Sequence, residues 1–414
     1  MSRSWIPAST TADSHRLIAT RAFRGFADGI ISILLPSYLT ALGLSATQIG
    51  IVLFGTLLGS ASITLCAGFV ARRLGYRRLL LGASLLMLST GLLFTYVRSF
   101  WPLLVVAFIG TLNPSAGDVS LFLPLEQAAL AGTVATPDLT ETFALYNVAG
   151  ALSGAFGALF SGLPGVVAKR LEVNTISAQR FVFVVYSAIA LIAAVIYRSL
   201  SDRVEIAAGP IQAAPLRKSR GLVIHLAALF SLDAFSGGLI VQSLFALWLF
   251  RRFSMSVQAV GLFFFVSNVL GSMSQFVSSA LANRIGRIKT MVYTHLPSNG
   301  FLLAAAFMPN APLTIVCLLL RSSLSQMDVP ARQSYVMAMV PPEERASAAS
   351  ITNVPRSLAS ALGPVPAGRM LDASTFGWPL VCAATLKAAY DLLLLRQFGS
   401  VSPVDEQSAD VVCR

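Results

Sequence analysis

The chain has 414 residues, of which 55% are hydrophobic and 12% charged, and its mean hydropathy is +0.74. This is far more apolar surface than a soluble core of that length could bury, which excludes most soluble classes and indicates lipid as the solvent. The net charge of +12 would fit a nucleic-acid partner only if the basic residues were massed on one solvated face, whereas they lie in short loops between apolar runs.

Apolar runs long enough to cross a hydrocarbon layer of ~30 Å recur from Leu17 to Phe398. Backbone polar groups need partners in lipid, and the runs lack the alternation of barrel strands, so we predict helices. The predicted spans are 17–41, 46–70, 79–97, 101–131, 141–163, 181–197, 222–249, 257–282, 290–308, 312–339, 347–370 and 377–396. The predicted fold is therefore an all-α integral membrane protein with twelve transmembrane helices.

Two stretches interrupt this series. The fourth span is too long for one straight helix, and Pro114 and Pro124 predict that it kinks or breaks. The segment 198–221 is the longest polar stretch and reads as a linker between two halves. The predicted organisation is an N-terminus at 1–16, a six-helix half at 17–197, the linker at 198–221, a second six-helix half at 222–398 and a tail at 399–414.

Basic residues are concentrated in the loops after the second, sixth and eighth spans, as in Arg77, Arg217 and Arg287. Cytoplasmic loops carry the excess of Lys and Arg, so both termini are predicted to be cytoplasmic. The N-terminal segment lacks the short apolar core of a cleavable signal, and the first span is expected to act as a retained targeting signal. The predicted location is the cytoplasmic or inner membrane.

The two halves of the sequence resemble each other. A shift of 211 positions aligns Ser45, Gly50, Ala71, Arg73 and Gly75 with Ser256, Gly261, Ala282, Arg284 and Gly286. A shift of 206 positions aligns Pro124, Gln127, Asn147, Gly157 and Gly162 with Pro330, Gln333, Asn353, Gly363 and Gly368. A parallel repeat of six helices plus six favours a binding cavity between the halves and alternating access.

One motif makes a family resemblance specific. The stretch AGFVARRLGYRR, Ala67 to Arg78, resembles the loop between the second and third helices of the major facilitator superfamily, and SSALANRIGRIK, Ser278 to Lys289, is its echo. The matching positions are Gly68, Arg73, Gly75, Arg77 and Arg78, with Arg284 and Gly286 in the echo. The acidic residue of the family motif falls on Arg72, so any ionic latch would need another charge. The resemblance implies a monomeric secondary carrier of a small molecule in lipid, without a cofactor or enzymatic activity.

Charged side chains inside spans are costly in lipid unless they face a cavity or a partner. The family places its first, fourth, seventh and tenth helices around the cavity, which would bring together Asp28, Asp118, Asp233 and Asp328, with Arg24 and Arg321. Asp28 is the first candidate for the coupling proton and Asp328 the second. In the alternative, Arg24 with Asp28 and Asp328 with Arg332 are i, i+4 ion pairs that only anchor helix ends.

Further candidates come from the repeat. Glu126 and Arg332 occupy matching positions near the cytoplasmic rim, where they could act as gate residues. Asn147 and Asn353 also match, and their amides could bond across helices or face substrate. Arg356 in the eleventh span is a further cavity candidate.

Other charged residues are expected to be structural. Lys387 and Asp391 lie four residues apart in the twelfth span and are predicted to form an ion pair, while His295 and Asn299 are expected at the periphery. Three histidines without paired ligand spacing predict no metal site.

Three functions remain. The first is proton-linked export of a small organic molecule, with the run ALGPVPAG, Ala361 to Gly368, resembling an antiporter signature that the family carries in its fifth span rather than its eleventh. The second is uptake of an anionic metabolite, favoured by the buried arginines Arg21, Arg24, Arg321, Arg332 and Arg356. The third, an intramembrane enzyme or a channel, lacks any nucleophile–base set, nucleotide loop or filter motif in the sequence.

Overall fold

The computed structural model describes residues 10–115, 120–134, 138–206, 219–341 and 344–398, and these ranges are almost entirely helical. The first half contains α1 (Ala12–Ala41), α2 (Ala46–Leu74), α3 (Tyr76–Tyr96), α4 (Phe100–Ile109), α5 (Phe122–Ala131), α6 (Leu139–Phe160), α7 (Leu163–Arg170), α8 (Thr175–Arg198) and α9 (Arg203–Ile206). The second contains α10 (Arg220–Leu239), α11 (Gln242–Phe253), α12 (Val257–Ile285), α13 (Arg287–Phe307), α14 (Ala311–Ser325), α15 (Asp328–Ala338), α16 (Arg345–Leu362), α17 (Pro364–Ala373) and α18 (Trp378–Phe398). The predicted all-α class is confirmed.

Seven helical stretches within the described ranges are long and apolar enough to cross a membrane. They are Ala46–Ala71, Tyr76–Tyr96, Glu141–Arg170, Thr175–Arg198, Arg220–Phe253, Val257–Ala282 and Trp378–Phe398. The remaining predicted spans are shorter, interrupted or richer in charge, and the order of helices is compatible with twelve spans.

Five predicted spans are interrupted. The predicted break in the fourth is present between α4 and α5. The fifth, seventh, tenth and eleventh were predicted to be continuous, but each consists of two helices. In the eleventh, the break falls at Gly363 and Pro364, and proline has no backbone N–H to continue the helix from the preceding turn. In the seventh and eleventh spans the apolar pattern runs on through the break, which is why it did not reveal the break.

The chain forms two compact units. The first comprises Met1–Pro210 with Val241–Phe265, and the second Ile211–Ile240 with Val266–Arg414. In the first, α1 packs along α6, with α3 against α8; in the second, α10 packs along α16, with α13 against α18. The division passes through α12, whose residues up to Phe265 belong to the first unit.

Each unit contains a crossing at which a glycine brings two helix backbones into direct contact. A Cβ added at Gly29 of α1 would lie 2.0 Å from the carbonyl oxygen of Gly154 on α6. A Cβ added at Gly238 of α10 would lie 2.1 Å from the carbonyl oxygen of Ser360 on α16. The shift of 206 positions aligns Gly154 with Ser360, so Gly29 and Gly238 mark equivalent crossings in the two units.

Candidate functional site

The first unit contains a buried ion pair between α1 and α5. Arg24 donates through Nη2 to Glu126 Oε2, and the two side chains are 1% and 0% exposed. Tyr146 and Tyr197 donate their hydroxyls to the same carboxylate, and Thr20 donates through Oγ1 to Oε1 at 2.9 Å. Glu126 therefore receives hydrogen bonds from four side chains, which compensates the burial of its charge.

This arrangement pairs Arg24 with another helix rather than with its neighbour one turn away. The local i, i+4 pair between Arg24 and Asp28 is not formed, because the guanidinium reaches Glu126 and lies 4.1 Å from the centre of the Phe122 ring. Glu126, which also accepts hydrogen bonds from three other side chains, is a better partner for Arg24 than Asp28 one turn away. The i, i+4 rule describes pairs on exposed helices, where no such tertiary partner competes.

Asp28 is placed quite differently. It is 5% exposed, and its one direct hydrogen bond within the described residues comes from Asn113 Nδ2 at 3.4 Å. The Asn113 carbonyl oxygen in turn accepts from the backbone N–H and hydroxyl of Ser115, at 3.1 and 2.9 Å. Arg24 and Arg21 both interact with Asp28 electrostatically, without a direct ion pair. Asp28 is thus a buried acid with spare acceptor capacity.

Arg21, one of the buried arginines named in the sequence analysis, was not among the candidates for proton coupling or gating. It is 7% exposed, and its Nε and Nη1 atoms are buried with no hydrogen-bond partner among the described residues. The guanidinium packs against Gly150, where a Cβ would lie 2.2 Å from Nε, and lies 5.6 Å from the centre of the Tyr146 ring. The signal was its place on the same helical face as Arg24 and Asp28.

The second unit contains a larger network. Asp233 on α10 accepts from Lys387 Nζ of α18 at 2.6 Å and from Arg332 Nη1 of α15 at 3.2 Å. Arg332 also contacts Asp328 at 3.2 Å, so the i, i+4 pair on α15 is formed. The carboxylate of Asp391 accepts from Asn299 Nδ2 and lies 2.9 Å from His295 Nδ1.

The predicted pair between Lys387 and Asp391 is wrong. Lys387 reaches across to Asp233, and Asp391 is held by His295 and Asn299 of α13. The twelfth span is therefore linked to a candidate cavity helix, α10, which spacing along one helix could not reveal.

The two units carry the same type of pair with opposite polarity. The shift of 206 positions aligns Glu126 of α5 with Arg332 of α15. Arg24 precedes the crossing glycine Gly29 by as many residues as Asp233 precedes Gly238. The first unit thus sets a cation on its first helix against an anion, and the second sets an anion on the equivalent helix against a cation.

The other candidates are scattered. Asp118 lies outside the described residues. Arg321 is partly buried on α14, where it interacts electrostatically with Asp233. Asn147 and Asn353 are exposed on α6 and α16, and Arg356 is partly buried on α16.

A carboxylate from another helix contacts the loop motif. Gly75 has φ +81°, and Gly286 of the echo has φ +86°, the left-handed region that favours glycine. Glu205 of α9 accepts the backbone N–H groups of Tyr76 and Arg77 at 2.7 and 3.0 Å, which places a carboxylate at the N-terminus of α3.

The remaining motif residues differ in their contacts. The Arg77 guanidinium donates to the Arg198 carbonyl oxygen at 2.6 Å, whereas Arg73, Arg78 and Arg284 are exposed. A Cβ added at Gly68 would meet nothing within 4 Å. Close packing of the helices therefore does not explain why position 68 is a glycine.

We expect Glu205→Gln to lower the free energy of unfolding by about 1 kcal/mol, because it removes the charge that favours the N-terminus of α3. Asp202→Asn is the matched control, since Asp202 is fully exposed and lies 3.8 Å from Arg77. Thermal unfolding of purified protein in detergent compares the two. Equal losses would show that the contact with the helix end contributes nothing.

Comparison with known proteins agrees with this architecture. The family model described as Major Facilitator Superfamily matches residues 17–386. An uncharacterized membrane protein of Saccharomyces cerevisiae is 24% identical over 407 residues, covering 90% of this chain and 91% of the yeast protein.

Solved structures show the same fold at low identity. A mutant of the nucleoside transporter NupG matches with a TM-score of 0.73 at 15% identity, over 94% of this chain and 99% of that one. A bacterial homologue of the human lysosomal transporter Spinster gives 0.71 at 14%, over 95% and 98%. A D-xylose–proton symporter gives 0.70 at 14%, over 92% and 96%. With the family match over nearly the whole chain, these findings make it a member of the Major Facilitator Superfamily, a multi-pass secondary transporter of small molecules and not an enzyme.

Proposed function

We propose that the chain exports a small organic molecule by proton-coupled antiport, with alternating access of two halves at 17–197 and 222–398. The proposal of proton coupling rests on the burial and the hydrogen bonding of Asp28. It is buried in α1 and has no ion pair within the described residues, whereas Glu126 nearby accepts hydrogen bonds from four side chains. A carboxylate with one long hydrogen bond can gain a proton and lose it again with little rearrangement.

Export rests on the chemistry around this acid. The buried charges on α1 and α5 are few, and Arg24 and Glu126 neutralise each other, which favours a substrate of low polarity. Proton coupling has a precedent in a structural neighbour, which is described as a proton symporter.

The test is transport by purified protein in sealed proteoliposomes with an imposed pH gradient and no nucleotide. A panel of labelled small organic molecules should include one that moves against its gradient, opposite to the protons. Transport that required ATP would contradict a secondary carrier.

A second candidate is uptake of an organic anion, and Arg21 is the observation that favours it. Its guanidinium is buried with two unpartnered nitrogens, and a carboxylate or phosphate is the ligand that such a fork binds best. The same vesicles separate the two functions, since an anion held by Arg21 should move together with protons. Arg21→Gln should then abolish that movement, and Arg180→Gln on α8 is its control.

We also propose that the protein lies in the cytoplasmic membrane as a monomer with both termini in the cytoplasm. In a variant with its four cysteines replaced, Arg78→Cys should react only with reagents that reach the cytoplasm, and Lys169→Cys should react from outside. Both side chains are exposed in the structure. Reaction of Arg78→Cys from outside would invert the topology.

A further inference from the structure

The first compact unit contains a contact between the break in the fourth span and the beginning of α11. Ser243, the second residue of α11, donates its backbone N–H to the carbonyl oxygen of Pro114 at 3.2 Å. Its hydroxyl donates to the same oxygen at 3.2 Å and to the Ser32 carbonyl oxygen of α1 at 2.7 Å. Hydrogen bonds therefore join this break to the first turn of α11, and both to α1.

The contact satisfies the N-terminus of α11. The first N–H groups of a helix have no acceptor within the helix itself. Val241, which precedes α11, provides no side-chain cap, so the Pro114 carbonyl accepts the N–H of the first turn from outside the helix. Gln242 adds a hydrogen bond from Nε2 to the Ser32 hydroxyl at 3.0 Å. The position of Pro114 therefore determines how firmly the first turn of α11 is held against α1.

Asn113, the residue before Pro114, connects this contact with Asp28. The orientation of its amide is fixed, because Oδ1 accepts the backbone N–H of Ser115, which can only donate. The Nδ2 group therefore faces Asp28, and it donates to Oδ2 at 3.4 Å. Because Asn113 and Pro114 are adjacent in the chain, a movement of the Asn113 amide moves the acceptor that holds α11.

We propose that Asn113 is a positioning residue that transmits the charge of Asp28 to the N-terminus of α11. This inference rests on the proposed role of Asp28 in proton coupling. A hydrogen bond to a carboxylate is roughly twice as strong as one between neutral groups. When Asp28 gains a proton, Asn113 is held less firmly, and so is the Pro114 carbonyl that anchors α11. Proton uptake thereby loosens the first turn of α11 from α1, and proton release restores the contact.

Other titratable groups lie near Asp28 but have no direct link to this contact. Within the described residues, those that interact with it electrostatically are Arg21 and Arg24 of α1, Glu126 of α5 and Tyr186 of α8. None of these four is hydrogen-bonded to Asn113 or Pro114 in the described part of the chain. The segment 110–115 and the first turn of α11 contain no titratable residue. The charge of Asp28 therefore reaches α11 most directly through Asn113.

The position of α11 in the sequence gives this link a role in transport. By sequence α11 belongs to the half at 222–398, although it packs on α1 within the first compact unit. Alternating access requires the two halves to part at contacts of this kind. A contact that weakens when Asp28 is protonated makes this parting depend on the proton, which is the condition for coupling.

Hydrogen–deuterium exchange of the full-length protein in detergent tests the link without a substrate. The peptide that contains the first turn of α11 reports the backbone N–H of Ser243, after correction for the intrinsic effect of pH on exchange. In the unmodified protein, exchange in this peptide should rise several-fold as the pH falls from 8 to 5, because Asp28 gains its proton. Asn113→Ala should exchange rapidly at both pH values, and Asp28→Asn should no longer respond to pH.

The first turn of α8 is the internal control for this measurement. Its N-terminus is capped by the side chain of Asn174, so its exchange should not respond to pH after the same correction. An α11 peptide that ignored pH in the unmodified protein would contradict the proposal. So would a response to pH that persisted in Asn113→Ala.

Ser243→Ala is a second variant, which serves if Asn113→Ala does not fold. It leaves Asn113 and Asp28 in place but removes both hydrogen bonds of the Ser243 hydroxyl. In proteoliposomes it should still exchange substrate down its gradient and lose several-fold in accumulation driven by a pH gradient. Ser231→Ala is the matched control and should accumulate normally, because that hydroxyl donates to Ala227 of its own helix. Normal accumulation by Ser243→Ala would contradict the proposal.

The role of Asn113 and the coupling role of Asp28 fail in different measurements. Normal accumulation by Asp28→Asn would contradict the coupling role, and with it the role of Asn113 in coupling. If Asp28→Asn lost accumulation while exchange at α11 ignored pH in the unmodified protein, Asp28 would remain the coupling site and only the role of Asn113 would be wrong.

Discussion

Asp28→Asn should abolish proton-driven accumulation while leaving exchange of substrate down its gradient intact. The amide nearly preserves the volume of the carboxylate but cannot bind a proton at any working pH. A buried carboxylate whose surroundings change as the halves move would differ in proton affinity between the two states, and that difference links proton flow to substrate movement. Counterflow and pH-driven uptake in the same vesicles measure the two activities.

Asp28→Glu is the control for this substitution, since it keeps a titratable group at the same position. It should retain part of the accumulation, with the loss reflecting the displaced carboxylate. If Asp28 only stabilises α1, Asp28→Asn should instead reduce expression and thermal stability, with both transport activities falling together. Full pH-driven accumulation by Asp28→Asn at normal expression would show that Asp28 is not the coupling site.

Glu126→Ala should lower the free energy of unfolding by about 3–5 kcal/mol, the usual cost of breaking a buried ion pair. The change leaves the Arg24 charge uncompensated and removes the acceptor of Tyr146, Tyr197 and Thr20. Thermal unfolding in detergent, with expression level as a second readout, measures the effect.

The double variant Arg24→Met with Glu126→Ala distinguishes the effect of losing the ion pair from the effect of leaving one buried charge unpaired. Removing both partners leaves no buried ion, so the double variant should be more stable than Glu126→Ala alone. A double variant that lost the sum of the two single effects would show that the residues do not interact.

Sequence patterns were sufficient for the fold because lipid imposes a simple rule. Each span must be helical and largely apolar, and the repeat between Pro124 and Pro330 predicts the relation between the halves. The breaks in the seventh and eleventh spans left no trace in hydropathy, since both sides of each break are apolar. The prolines of the fourth span led to a predicted interruption, whereas Pro364 in the eleventh span was not interpreted as one.

The candidate site was predicted in part. Asp28 and Asp233 were identified because a charge inside a span is unusual, but their hydrogen-bond partners could not be predicted from the sequence. Spacing along one helix predicted the contact between Asp328 and Arg332 and failed for Lys387, whose partner lies on α10. Partners from different helices depend on crossings such as that of Gly29 with Gly154, which local patterns do not specify.

The opposite polarity of the two buried pairs limits how the halves can be recombined. If α15 replaced α5 in a chimera, Arg332 would stand against Arg24, and two cations would meet where an ion pair had been. The reverse exchange would set Glu126 against Asp233. Exchange of single helices between the two units would therefore create pairs of like charges, whereas a helix moved together with its partner would keep its ion pair.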